Sequence, residues 1–372
     1  MNGRSPTLDH PGDPVEVTIV RALSSEHREL ERDLLRFAAY VPLQHRVVWL
    51  ERFGDPEGWF CAARNAAGQC LGGFAISTAA SRALPGHRLL RVERFCPPGD
   101  IEVQRLMLDR VCEFSRHDSR ILRVSLELCC YDDARRIAVE NLLARAGFTR
   151  SKSSRNYEDT LVFDLQPAEA SLLAGLDAKT RRNIRMISKH PVEVRPIEDP
   201  IWAERIEALR RESMSRTGGH AARRDWVARI DFSRCSPALA RIVGLFRTDV
   251  VGPEALVAFA CAFSHGEYAH YDASGATRSS GLRIPMSYAL LWDLILWAKS
   301  NSASWFDFGG VTLGHLKDGE DALGGISDFK RSFTRKLVHV GAEWILEPRP
   351  LRARLARAIS GTAERLRAAW RR

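Results

Sequence analysis

The sequence predicts an α+β protein of two successive domains, each a mixed central sheet flanked by helices, and three observations carry that prediction. The 372 residues suffice for two domains that each bury a core. The first half reads as a helix, a three-stranded meander broken by Pro and Gly, a helix, and then strand, helix, strand. The second half repeats that order without visible identity, as a duplicated fold would and a short-period repeat array would not. The expected bounds are a polar, disordered tail over 1–14, a first domain over 15–166, a second over 167–348 and a basic amphipathic helix over 349–372.

In the first half, Ser24 to Val41 sets Leu30, Leu34, Leu35 and Phe37 on one helical face. Trp59–Arg64, Cys70–Ser77 and Arg88–Phe95 are β-like runs joined by turn residues such as Asn65-Ala66-Ala67-Gly68, hence an antiparallel meander. Cys96-Pro97-Pro98-Gly99-Asp100 ends the third strand, and a helix follows over Val103–Arg116. Ile121–Cys129 is a strand, Asp132–Ala146 a helix stopped by Gly147, and Thr160–Leu165 the last strand of the first sheet. In the second half, helices are expected over Pro167–Leu176, Ala178–Lys189, Ile201–Ser215 and Arg223–Ile230, then strands over Leu239–Phe246, Ala255–Ser264 and Tyr268–Ala273. A loop over Ser274–Arg283 leads to a helix over Ile284–Lys299 that is apolar on nearly every side and so buried. Leu337–Leu346 closes the second sheet.

A hydrophobic share of 45% with 27% charged residues is that of a soluble globular protein. The net charge of +9 suits an anionic partner and is as compatible with nucleic acid as with a membrane or a nucleotide. Eight cysteines show no CxxC pair and no zinc-like spacing with the eleven histidines, which predicts reduced core thiols and no metal site. The N-terminus lacks the order of a signal peptide, and the most apolar stretch, Ile284–Ala298, is too short to cross a bilayer and contains Asp293. A cytoplasmic protein is expected.

The most informative stretch is Trp305–Phe333, WFDFGGVTLGHLKDGEDALGGISDFKRSF. A strand-like run ends in Gly309-Gly310, passes through a Gly- and Asp-rich loop and enters what reads as a basic helix start with Phe329, Lys330, Arg331 and Phe333. Pattern alone fits a buried strand, polar loop and solvated helix as well as an anion site. The pairing of FDFGGV with GISDFKRSF, with the basic helix KTRRNIRMISKH (Lys179–His190) upstream, resembles the Fem-type (FemABX) aminoacyltransferases, a likeness that extends from about Val15 to Glu347. That family is built from two acetyltransferase-like (GNAT) domains and moves an amino acid from aminoacyl-tRNA to an amine of a peptidoglycan precursor. The resemblance implies the tandem GNAT fold, aminoacyl-tRNA as donor with no bound cofactor, and a nucleotide- or lipid-linked cell-wall precursor as acceptor.

It also implies roles for individual residues. Lys330 would bind the terminal phosphates of the tRNA, with Phe329 and Phe333 packing or stacking nearby; Asp307, by its own place in a strand at the presumed cleft, is a candidate base or a structural residue of the strand end. Glu212-Ser213-Met214-Ser215-Arg216 resembles the Thr-x-x-Arg segment that faces the acceptor's diphosphate, so Arg216 carries over, although His220 stands where a tyrosine is expected. Tyr271 matches the acceptor-channel tyrosine region. Gln44 and Trp49 resemble the family's Gln-Trp segment, with Arg52 as the basic residue after it, and Asp100 approximates the Asp of a Gly-Pro turn. The loop Thr277–Arg283 lies where GNAT enzymes hold the coenzyme A pyrophosphate; it supplies Arg278 and Gly281 but has Arg283 where a small residue is usual. In the first half Cys96–Asp100 lacks the pattern, and lost cofactor binding is expected there.

Arg182, Arg185 and Lys189 share a helix face by i, i+3 and i+7 spacing, a solvated face or a salt-sensitive tRNA contact. The tail Leu351–Arg372 carries seven arginines and one glutamate, and Leu351, Leu355, Ile359, Leu366 and Trp370 form one stripe. It reads either as a helix on an anionic membrane surface or as one docked on the protein. Two rivals stand beside Fem-like transfer: a GNAT N-acyltransferase using acyl-coenzyme A in polysaccharide or amino-sugar synthesis, and a non-catalytic tRNA- or membrane-binding protein. Arg283, crowding a pyrophosphate, favours the first over the second.

Overall fold

A computed structural model of the chain describes residues 14–96, 100–152, 157–216, 223–313 and 324–359. In chain order it begins with β1 (Val15–Arg21), α1 (Ser25–Phe37), α2 (Val47–Phe53), β2 (Trp59–Asn65), β3 (Cys70–Ala80), β4 (Arg88–Phe95), α3 (Ile101–His117), β5 (Ile121–Leu128), α4 (Asp133–Arg145) and β6 (Thr149–Arg150). It continues with β7 (Asp159–Asp164), α5 (Glu169–Gly175), α6 (Ala178–Arg185), β8 (Val192–Pro196), α7 (Ala203–Ser215), α8 (Trp226–Cys235), β9 (Ala240–Arg247), β10 (Leu256–Ser264), β11 (Tyr268–Ala276), α9 (Met286–Ser300), β12 (Trp305–Gly310), α10 (Gly324–Arg331), β13 (Leu337–His339) and β14 (Glu343–Leu346). Five helices start where a short polar side chain accepts an N–H of the first turn: Ser24, Asp100, Asp132, Asp177 and Asp225.

The chain forms two compact units, one of 1–158 with 339–372 and one of 159–338. The first holds a sheet of order β1-β2-β3-β4-β5-β14-β6 and the second a sheet of order β13-β7-β12-β11-β10-β9-β8. The two orders match position for position. Each meander is antiparallel up to one parallel pair, β4 with β5 and β11 with β12.

Two closing strands sit where the sequence reading did not put them. The run read as the last strand of the first sheet, β7, pairs antiparallel with β12 in the second sheet, Trp305 opposite Asp164. Leu337–Leu346, read as one strand closing the second sheet, is two strands, and β14 lies against β5 of the first, Glu343 opposite Glu127. The contiguous blocks 15–166 and 167–348 therefore give way to units that exchange their closing strands. An alternating pattern specifies a strand and its buried face, but not which edge its N–H and C=O groups will meet. The strands β1 and β8 and the helix α2 were not anticipated, although Val15, Val17 and Ile19 alternate and pack on the first core.

In the second unit, β10 is buried along its whole length and α9 buries nine residues against the sheet. Its Asp293 is held by both Nε and Nη2 of Arg241, at 2.6 and 3.0 Å. Helix α7 crosses β11 at Gly275, where a Cβ would stand 2.7–2.8 Å from the backbone of Leu209 and Arg210, so only glycine permits that approach. The eight cysteines are free thiols, seven of them buried as expected and Cys235 exposed. Among the described residues no helix is long and apolar enough to cross a membrane, and no cluster of His, Cys, Asp and Glu could hold a metal ion.

Candidate active site in the second unit

The parallel pair of the second sheet is short. Tyr268, Ala269 and His270 lie opposite Trp305, Phe306 and Asp307, and the pairing stops there while β11 runs on to Ala276 and β12 to Gly310. Beyond His270 the two strands diverge, and a bulge in the pairing of β10 with β11 falls at Asp272. Asp272 is half-enclosed by Arg224 and Arg229, the latter at 3.0 Å. Burial alone would raise its carboxyl, but the two guanidinium groups hold it below the usual range, so the bulge is pinned by a charged carboxylate.

Gly309 takes φ +72°, and a Cβ there would meet the Tyr271 carbonyl oxygen at 3.2 Å. The bend is fixed from below by Asp307, 3% exposed, whose Oδ1 accepts from the Gly309 N–H at 2.7 Å and from the Thr160 hydroxyl. This buried carboxylate is engaged in holding the end of β12.

Lys330 completes the site. Its Nζ donates to the Gly310 carbonyl oxygen at 2.6 Å and lies 5.9 Å from the Tyr271 ring centroid. The side chain is 6% exposed, and burial pushes the amine down to about 8 against the opposing pull of Asp307. The expected helix start is corrected here: α10 begins at Gly324, and Lys330 stands in its last turn. The amine is thus a buried cation at the mouth of the splay, and the N-terminal dipole plays no part in it. Phe329 meets Tyr288 edge-on at 4.9 Å, and Phe333, buried, stacks on Tyr288 and packs on Phe308, both at 5.5 Å. Both rings shape the floor. Tyr271 gives its hydroxyl proton to Ser274, and burial raises its phenol.

Three amides of the loop between β11 and α9 are taken up within the protein. The Arg278 N–H donates to Glu212 Oε1 at 2.9 Å, Ser279 N–H to Thr277 Oγ1 at 3.1 Å and Leu282 N–H to Ser280 Oγ at 3.3 Å. Burial works to raise the Glu212 carboxyl, while the bonds from Arg278 and Thr277 and the charges of Arg216 and Arg205 hold it low, so it is ionised. Gly281 has φ +73° and open space around it, and the side chains of Arg278 and Arg283 are exposed. The Arg278 amide, one that a pyrophosphate in this loop would use, is thus taken up by a carboxylate. Arg216 belongs to the same clamp: it donates to Glu212, to Ser213 Oγ at 2.9 Å and to the Ala276 carbonyl at 3.1 Å, while Ser213 accepts from the Ala276 N–H. His220 lies outside the described residues.

Arg182 and Arg185 on α6 and Lys189 in the 3₁₀ turn after it are all exposed, and none has an ion-pair partner among the described residues. The opposite face of α6 buries Thr180, Asn183 and Ile184. In the first unit, Gln44, Trp49 and Phe53 line a cleft of about 280 Å³ with Asp55, Arg91 and Glu93. Arg52 is exposed in the last turn of α2, and Asp100 is the N-cap of α3, accepting from the Val103 N–H at 2.8 Å. An anionic cap already occupies the end of that helix. The structure thus gathers Lys330, Asp307, Tyr271, Phe329 and Phe333 at one place, and Arg216, Arg278 and Gly281 at the adjoining loop. Thr160, Glu212 and the Arg224–Asp272–Arg229 cluster were missed as parts of the site, because each acts through a partner far away in sequence.

Two sheets of matching order, each with one parallel pair whose second strand is closed by an antiparallel neighbour, define a tandem GNAT-fold protein. No family model and no curated protein matches the sequence. Among solved structures the chain is similar to the crystal structure of FemX, with a TM-score of 0.72 at 13% identity over 90% of this chain and 98% of that one. It is also similar to L-PGS from Bacillus licheniformis, at 0.53 and 14% identity over 91% and 98%. A tandem GNAT protein from the clavulanic acid biosynthesis pathway gives 0.52 at 15% identity over 90% and 99%. The resemblance read from the motifs holds as fold.

Proposed function

We propose that this chain is an N-acyltransferase that takes an amino acid from aminoacyl-tRNA and passes it to an amine of a peptidoglycan precursor or related acceptor, nucleotide- or lipid-linked, on the cytoplasmic side. The observation that carries the reading is the buried Lys330 amine at the splay of a unit in which Glu212 accepts the Arg278 N–H of the pyrophosphate loop. The likeness to FemX over nearly the whole of both chains supports it. Exposed Arg182, Arg185 and Lys189 supply a phosphate-binding face on the same unit.

In this reading the acceptor amine attacks the ester carbonyl, a C–N bond forms, and the C–O bond to the ribose breaks as the ribose oxygen gains a proton and the nitrogen loses one. With a pKa near 8, Lys330 is largely protonated at neutral pH and donates to the oxygen that gathers charge. Asp307, engaged by Thr160 and Gly309, orients the strand end beneath it. The ester is already activated, so alignment in the splay supplies much of the acceleration. The test is incubation with aminoacyl-tRNA and with acetyl-coenzyme A in parallel, with mass analysis of amine acceptors. Transfer from charged tRNA alone is expected, and transfer from the thioester alone would overturn the donor assignment.

A further inference from the structure

After β14 the chain turns into a helix over 350–359 that belongs to the first unit. Arg349 fastens its start by donating to the carbonyls of Ser115, Arg116 and Asp118 at 2.7–3.3 Å, around the C-terminal end of α3. Arg352 donates to Ser119 O at 3.0 Å. Within the helix Ala353 is the residue turned inward, 3% exposed. Leu351, Leu355 and Ile359, spaced i, i+4, i+8, are 79%, 53% and 41% exposed. At 3.6 residues per turn their mean direction lies roughly 160° from Ala353. The stripe therefore points away from the protein that carries it, which decides against docking for its described part; Leu366 and Trp370 lie outside the described residues.

Charge identifies what covers it. Arg352 and Arg354 flank the stripe on either side, whereas Arg357 lies on the opposite face and pairs with Glu347, and the sequence from Leu351 to Arg372 holds seven arginines against one glutamate. A second copy of so basic a face would repel it, whereas an anionic lipid surface accepts both the apolar stripe and the arginines beside it. We infer that the helix 350–359 is a membrane-surface element that lies with Leu351, Leu355 and Ile359 among the acyl chains of anionic lipid and the flanking Arg352 and Arg354 at the headgroups. The inference is independent of which donor the second unit uses.

The test is sedimentation of the full chain with phosphatidylcholine vesicles, with and without phosphatidylglycerol. Binding is expected only when phosphatidylglycerol is present. The triple variant Leu351→Ser, Leu355→Ser, Ile359→Ser should bind at least about tenfold more weakly at unchanged melting temperature, since exposed side chains contribute little to folding. Arg354→Gln, which no fold contact requires, should weaken binding roughly fivefold. Equal binding to neutral vesicles, or full binding by the triple variant, would overturn the inference. So would a triple variant that melts early or a stripe whose loss turns a dimer into a monomer, since the stripe would then pack on protein.

Discussion

Replacing Lys330 with methionine should stabilise the protein at neutral pH while sharply lowering its transfer activity. The amine titrates near 8 instead of 10.5 because it is buried, so the folded state holds its proton about 2.5 pH units less readily than the unfolded chain does. At about 1.4 kcal/mol per unit, keeping that charge inside costs roughly 3 kcal/mol below pH 8. Between pH 8 and 10.5 the unfolded state binds the proton and the native state does not, so the wild type gains stability as pH rises through that window. Methionine keeps the stem and volume of the side chain, but it leaves the Gly310 carbonyl without the bond it receives from Nζ, a loss of about 1–2 kcal/mol. The net expectation at pH 7 is a gain of about 1–2 kcal/mol for Lys330→Met, reversing to a deficit above pH 10.5 as the wild type sheds its penalty. Urea unfolding of both proteins at pH 7 and at pH 10.5 measures this. Transfer should fall by roughly a hundredfold or more, the usual cost of losing a donor to a developing oxyanion. A variant destabilised by more than 1 kcal/mol at pH 7, or a difference that does not move with pH, would refute the reasoning.

Gly275→Ala should cost at least about 3 kcal/mol in urea unfolding, because the new Cβ meets the backbone of α7 and no side chain can yield. His27 and His45 are buried with Nδ1 accepting the N–H groups of Leu23 and Ala75, and burial, with nearby charges, lowers both to about 4. The unfolded chain binds those protons from about pH 6.5 downward, so stability should fall between pH 6.5 and 4, by up to about 3 kcal/mol for each ring. His45→Gln should flatten that fall in a series of unfolding midpoints. For tRNA binding, Arg182→Gln with Arg185→Gln should reduce the slope of log affinity against log salt by roughly 1 to 2, and an unchanged slope would leave α6 as a solvated face.

The sequence by itself determined the kind of protein this is. Alternating runs such as Arg88–Phe95 and the all-apolar Leu256–Ser264 had to become strands, and Met286–Ser300, apolar almost all round, had to be buried against a sheet. The Gly147 stop of the helix after Ile121–Cys129 and the Gly309-Gly310 break after FDF were equally legible, because left-handed backbone depends on a few adjacent residues. Only the tertiary structure decided the rest. The exchange of β7 and β14 between the sheets turns on which edge hydrogen bonds form, and no local pattern encodes that. Lys330 reads as a helix-start lysine in a basic run, yet its depth comes from packing against strand β12, about twenty residues away, and that burial lowers its pKa against the opposing pull of Asp307. Glu212 accepting the Arg278 N–H depends on two segments about 66 positions apart meeting in space. Chain-distant contacts set burial and local dielectric, and burial and dielectric set what a lysine or a glutamate does.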